Sequence, residues 1–164
     1  MADSSSIRKA TSLPVATGRN ASSIRYIDGE LAVSNGTNWI YPGRVEVVSN
    51  GAVADGAFYV ANRAMEVVAI RQIHSVAGTD GSAVSLQVTK DTTTNAPGAG
   101  TDLLTNNTNA GFNLKSTANT VQTGTLTATA ATKKLAAGDR LSLDFAGTLT
   151  DVAGVVVTVT LRPI

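Results

Sequence analysis

The chain has 164 residues, a net charge of +1 and no cysteine; it is 43% hydrophobic, yet only 4% aromatic and 15% charged. One domain with an appended arm fits that length. The balance excludes a disulfide framework, an iron–sulfur site and a cysteine nucleophile, and it carries no basic footprint for nucleic acid.

Residues 1 to 23 are polar and short-sided, with isolated apolar residues at Ile7, Leu13 and Val15 and no helical or strand period. The segment "MADSSSIRKATSLP" has no apolar run of the kind a secretion signal needs, so synthesis in a cytoplasm is expected. No stretch approaches the ~18 apolar residues of a membrane helix, and no membrane partner is expected. Arg8, Lys9, Arg19 and Arg25 make this first quarter mildly basic, which suits either ordinary solubility or contact with an acidic shell.

Residues 24 to 43, "IRYIDGELAVSNGTNWIYPG", hold the one tryptophan and two of the three tyrosines. Asp28-Gly29 and Asn35-Gly36 are two-residue hairpin signals, because both central positions of such turns need φ > 0. Strands are predicted at "IRYI", "ELAVS" and "TNWIYP", ending at Pro42-Gly43. On a strand Trp39 and Tyr41 share a side. That side is either a small local core, a protein-interface anchor or a carbohydrate-stacking platform, since Trp, Tyr and Arg supply most interface hot spots. Arg25, Tyr26, Trp39 and Tyr41 are the candidate joint between arm and body.

From Val45 onward, strands are predicted at "VEVVS", "AFYVAN", "MEVVAIRQIHSV", "AVSLQVTK", "FNLK", "TVQTGTLTATA", "RLSLDFAG" and "VVVTVTLRP", with turn residues between them. A Thr/Asn/Gly/Pro-rich stretch, residues 91 to 111, interrupts the pattern, and no helix of ordinary length is predicted. Seven or eight short strands at this spacing indicate an all-β sandwich. The continuous β-branched run near the end should sit centrally in a sheet or be paired at an interface, because it is hazardous as a bare edge. The division expected is residues 1–44, arm and hairpin for attachment, and residues 45–164, an antiparallel β-sandwich.

Groups for catalysis are few. His74 stands alone in "RQIHSV", and with no cysteine a protein zinc site is poorly supplied. Asp139 reads as a turn residue after Gly138, and Asp144 falls on the solvated face opposite Leu141, Leu143 and Phe145. Asp80, Asp91 and Asp102 lie in loops without the alternating carboxylates of an EF-hand. "GAGTDLL" lacks the lysine and helix of a phosphate loop. The sequons at Asn20, Asn35 and Asn106 are ordinary in a chain so rich in Asn, Ser and Thr. No enzymatic activity, metal or cofactor is expected.

"DGELAVSNGTNWIYP" resembles the short hairpin unit of tailed-bacteriophage head and tail fibres. "VTK…APGAGTDLLT", "NTVQTGTLTATA" and "LAAGDRLSLDFAGTLT…AGVVVTVTLRP" are similar to β-sandwich decoration, or cement, proteins of phage heads. The resemblance spans residues 24 to 164. It implies a jelly-roll-like homotrimer at local threefold positions on the outer capsid surface of the virion. The arm residues Ile7, Arg8, Lys9, Leu13, Val15 and Arg19 would then grip the major capsid protein. Three linked arms would bind with avidity ~10²–10⁴ above one arm. The same hairpin also implies an alternative, a fibre module that binds a receptor or host surface glycan.

Overall fold

The computed structural model describes residues 7–51, 53–92, 94–105 and 111–164. The first six residues of the arm, the sequon at Asn106 and part of the 91–111 stretch lie outside the described residues. The described residues form two compact units, one of residues 7–44 with Arg162–Ile164 and the other of Val45–Leu161.

The first unit is a four-stranded sheet in the order β1 (Arg8–Lys9), β2 (Ile24–Ile27), β3 (Glu30–Ser34) and β4 (Trp39–Ile40). At the β2–β3 turn Asp28 and Gly29 take φ of 50° and 83°, the left-handed pair that a two-residue hairpin demands. Asn35-Gly36 departs from expectation, since only Gly36 has positive φ, at 92°. The Asn35 side chain instead accepts the Thr37 and Asn38 amides at 2.9 and 2.7 Å, closing a longer loop. The strand expected over "TNWIYP" shrinks to two residues.

The second unit is an all-β sandwich. Its long strands are β5 (Val45–Asn50), β6 (Gly56–Val60), β7 (Met65–Ile73) and β8 (Ser85–Asp91). Short strands β9 (Thr101–Asp102), β10 (Phe112–Asn113), β11 (Gln122–Thr123) and β12 (Lys134–Leu135) come next, and β13 (Arg140–Ala146) and β14 (Val156–Pro163) complete the set. One sheet runs β10–β8–β13–β6 with β9 also on β8; the other runs β11–β7–β14–β5 with β12 also on β7. The continuous run β14 lies inside its sheet, between β7 and β5. "TVQTGTLTATA" is mostly not strand; it gives β11, an isolated bridge at Leu126 and the single helical turn α1 (Ala130–Lys133).

Inward-facing side chains of the two sheets meet between them, as a sandwich core requires. Val67 and Ile70 of β7, Val157 and Val159 of β14, Val88 of β8 and Leu141 of β13 are all essentially inaccessible. The loop after β8 adds Leu103 and Leu104, both buried, although the sequence there reads as an interruption. Gln87 explains this locally: its side chain accepts the Leu104 amide at 3.0 Å and donates to the Leu104 carbonyl at 3.1 Å, standing in for a neighbouring strand. Asp91, fully buried, accepts from Thr89 Oγ1 at 3.0 Å, from the Gly98 amide at 3.3 Å and from Ser142. The polar outer face of β8 and β13 is therefore covered rather than solvated. That corrects the expectation for Asp144, which is half-buried beneath Gly98.

Candidate interaction surface

In the first unit, register decides which side chains face outward. Ile24 pairs with Val33 and Val33 with Ile40, while Tyr26 pairs with Leu31, and residues directly opposite share a face. Ile24, Tyr26, Leu31 and Ile40 are 43, 42, 42 and 48% exposed, an apolar sheet face carrying no charged residue of β2, β3 or β4. The opposite face holds Ile27, Glu30, Ala32 and Ser34, all buried. Trp39 pairs with Ser34 and belongs to this second face. Ile40, not Trp39, extends the exposed one.

The arm lies against this sheet by its backbone. Arg8 and Lys9 pair in parallel with Arg25 and Tyr26, and the Ala10 amide donates to the Tyr26 carbonyl at 2.8 Å. Only the backbone of Arg8 is described; Lys9 is exposed. Trp39 Nε1 donates to the Pro14 carbonyl at 2.7 Å. Asn20 staples the next turn, its Nδ2 donating to the Val15 carbonyl at 2.9 Å and its Oδ1 accepting from the Thr17 amide at 2.8 Å. With the main chain held, the arm's apolar side chains turn outward: Val15 is 83% exposed and Ile7 52%. Leu13 is half-buried and Arg19 exposed. Arg25 Nη1 donates to the carbonyl of Ile24, at 2.9 Å.

A charged cluster beside the β2–β3 turn went unread in the sequence. Glu30 accepts from Arg44 Nε at 2.9 Å, Arg44 Nη2 at 3.1 Å and Arg162 Nη1 at 3.1 Å, and its side chain is only 7% exposed. Arg162 Nη1 also donates to the Asp28 carbonyl at 2.9 Å. Burial opposes ionisation of Glu30, but the hydrogen bonds and charges of the two guanidinium groups outweigh it and hold the carboxyl below its ordinary value. The Arg44 guanidinium lies 4.0 Å above the Tyr41 ring, so Tyr41, beyond the end of β4, joins this cluster rather than a face shared with Trp39. Next to it Tyr26, Leu31, Pro42 and Pro163 line an apolar hollow of about 270 Å³.

The second unit offers less for chemistry. His74 is fully buried; its Nε2 donates to the Ser116 carbonyl at 3.1 Å, which leaves Nδ1 to accept from Gln72 at 3.1 Å. Among the described residues no group of three or more His, Asp or Glu side chains is placed to hold a metal ion. No described helix is long and apolar enough to cross a membrane. No family model, no curated protein and no solved structure matches this chain.

Proposed function

We propose that this is a non-enzymatic structural protein of a tailed-phage particle, which decorates the outer surface of the capsid as a cement protein. The sandwich is its body and the first unit its attachment element, with the major capsid protein as partner. One observation carries this reading: the arm is fixed by backbone bonds and by Trp39, while Ile7, Val15, Ile24, Tyr26, Leu31 and Ile40 face solvent. Apolar residues held out on a fixed frame have already lost most of their conformational freedom, so covering them costs little further ordering. Each contributes roughly 1 kcal/mol or more when covered, being about half exposed or, for Val15, mostly so. A repeating shell that engages several copies multiplies that modest gain.

The glycan-binding alternative has the hollow beside Tyr26 in its favour, because an aromatic ring next to a carboxylate is a sugar-binding pairing. Against it, both Glu30 oxygens already accept from Arg44 and Arg162. Mature shells lacking the protein, mixed with the full chain and sedimented, test the proposal. The full chain is expected to saturate the shells, and Val15→Asp or the double variant Leu31→Asp, Ile40→Asp to lose binding while remaining folded. A full chain that does not co-sediment, yet binds host surface glycans, would replace the cement reading with the fibre one.

A further inference from the structure

We propose that β5 is a joining edge, at which two copies of this chain pair antiparallel about a two-fold axis through Val48. The inference rests on the geometry of β5 and not on the capsid reading, and it sets a two-fold pair in place of the homotrimer that the sequence resemblance implies. β5 ends its sheet, and no described strand pairs with its outer side. Its register against β14 runs without a shift from Val45 opposite Leu161 to Asn50 opposite Val156.

The ladder shows which residues face the open side. The Gly51 amide donates to the Val155 carbonyl at 3.1 Å, continuing that register by one step. Hydrogen-bonded and non-hydrogen-bonded pairs alternate along an antiparallel ladder. Val45, Val47 and Ser49 therefore direct their main-chain groups to β14, and Glu46, Val48 and Asn50 direct theirs outward. Val48 is 54% exposed and Val45 41%.

Bare edges of this kind are normally blunted by charged side chains, proline or a bulge. Residues 45–50, "VEVVSN", have no proline, lysine or bulge, and Glu46 is their one charge. β6, which ends the other sheet, has a bulge: its register with β13 shifts between Leu141 and Ser142. One edge is thus broken by a bulge, and the other is left straight.

The strand is complementary to itself in one register. With Val48 opposite its own counterpart, Glu46 faces Asn50 and Asn50 faces Glu46. All three outward-directed residues then form hydrogen-bonded pairs, giving about six main-chain bonds. Centring the pairing on Val47 instead uses only two such pairs, about four bonds. The Val48 register also sets each carboxylate against an amide and keeps the two Glu46 side chains apart, so no like charges oppose. A second copy is the occupant that meets every one of these requirements.

Because the chain has no cysteine, single-cysteine variants read the register directly. Val48→Cys is expected to give a disulfide-linked dimer under mild oxidation at low protein concentration. Asn50→Cys is not expected to link to itself, since the two copies of that residue are four positions apart, roughly 13 Å along the strand. Mixed Glu46→Cys and Asn50→Cys chains are expected to link to each other. The directly opposed thiols should react at least ~10-fold faster than Asn50→Cys alone. Val48→Pro removes an N–H that β14 does not use, so the folded chain, checked by circular dichroism, should persist at half the wild-type mass in light scattering. Val48→Cys linking no faster than Asn50→Cys would overturn the proposal. So would a wild-type mass of one copy or three, or a folded Val48→Pro variant of unchanged mass.

Discussion

The indole N–H of Trp39 donates to the carbonyl of Pro14, 2.7 Å away and 25 residues earlier in the chain. This bond joins the fourth strand of the small sheet to the middle of the arm. Replacing Trp39 by Phe keeps an aromatic ring and removes the donor, at a cost of about 0.5–1.5 kcal/mol. The expected result is a folded protein whose arm opens more often. Exchange of the Ala10 amide, bonded to Tyr26, should rise roughly 2- to 10-fold, with the sandwich amides unchanged. Unchanged Ala10 exchange would show that the arm is held without the indole.

Glu30 links folding of the first unit to pH. Its carboxyl titrates below the ordinary value of 4.5, so its contribution to stability is fully present above that value and is lost as pH falls through the folded-state pKa. Glu30→Gln leaves Arg44 and Arg162 facing a neutral amide, and should destabilise the first unit at neutral pH by about 1–3 kcal/mol. Urea unfolding followed by Trp39 fluorescence measures this. The gap between wild type and variant should narrow as the solution is acidified below 4.5.

Asp144 has the opposite sign. Burial, then the charges of Asp55, Asp102 and Asp91, raise its pKa above the ordinary 3.8. Ionised Asp144 therefore opposes folding at neutral pH, and that penalty is relieved as pH falls through its raised pKa. Asp144→Asn should unfold at higher urea than wild type at pH 7, and the two should converge in acid. A variant less stable than wild type at pH 7 would mean that the carboxylate holds the covering loop.

Gly147 sits at φ +90°, where an added Cβ would meet the Ala83 carbonyl oxygen at 2.1 Å. Gly147→Ala should cost about 2 kcal/mol or more, because backbone strain and a main-chain clash coincide. At Gly81 an added Cβ meets nothing within 4 Å and φ is unremarkable. Gly81→Ala should be neutral or stabilising by up to about 1 kcal/mol. Thermal unfolding of the two variants side by side measures the difference.

What the sequence revealed depended on how local the cause was. Asp28-Gly29 is a turn made by its own two residues, and it is where the pattern places it. The all-β sandwich follows from β-branched alternation in runs such as "AVSLQVTK" and "VVVTVTLRP". Asn35-Gly36 misled because the same dipeptide serves a longer loop once the Asn side chain caps two amides. Leu103 and Leu104 were hidden in a loop-like composition, since they are held by Val88 and Gln87 on another strand. Glu30 gave no signal at all: its partners are 14 and 132 residues away. The exposed sheet face had a fainter one. Ile24 and Tyr26 repeat at the same two-residue period as Leu31 and Val33, but the sequence does not say which side is covered.

Arg44 and Arg162 immediately flank Val45 and Leu161, the residues that close the β5–β14 register. Arg44 lies 14 residues from Glu30 and Arg162 lies 132 away, so only the second contact carries a large loop-closure cost. Where β5 and β14 are paired, that cost is already met, and the chain itself brings the two guanidinium groups together.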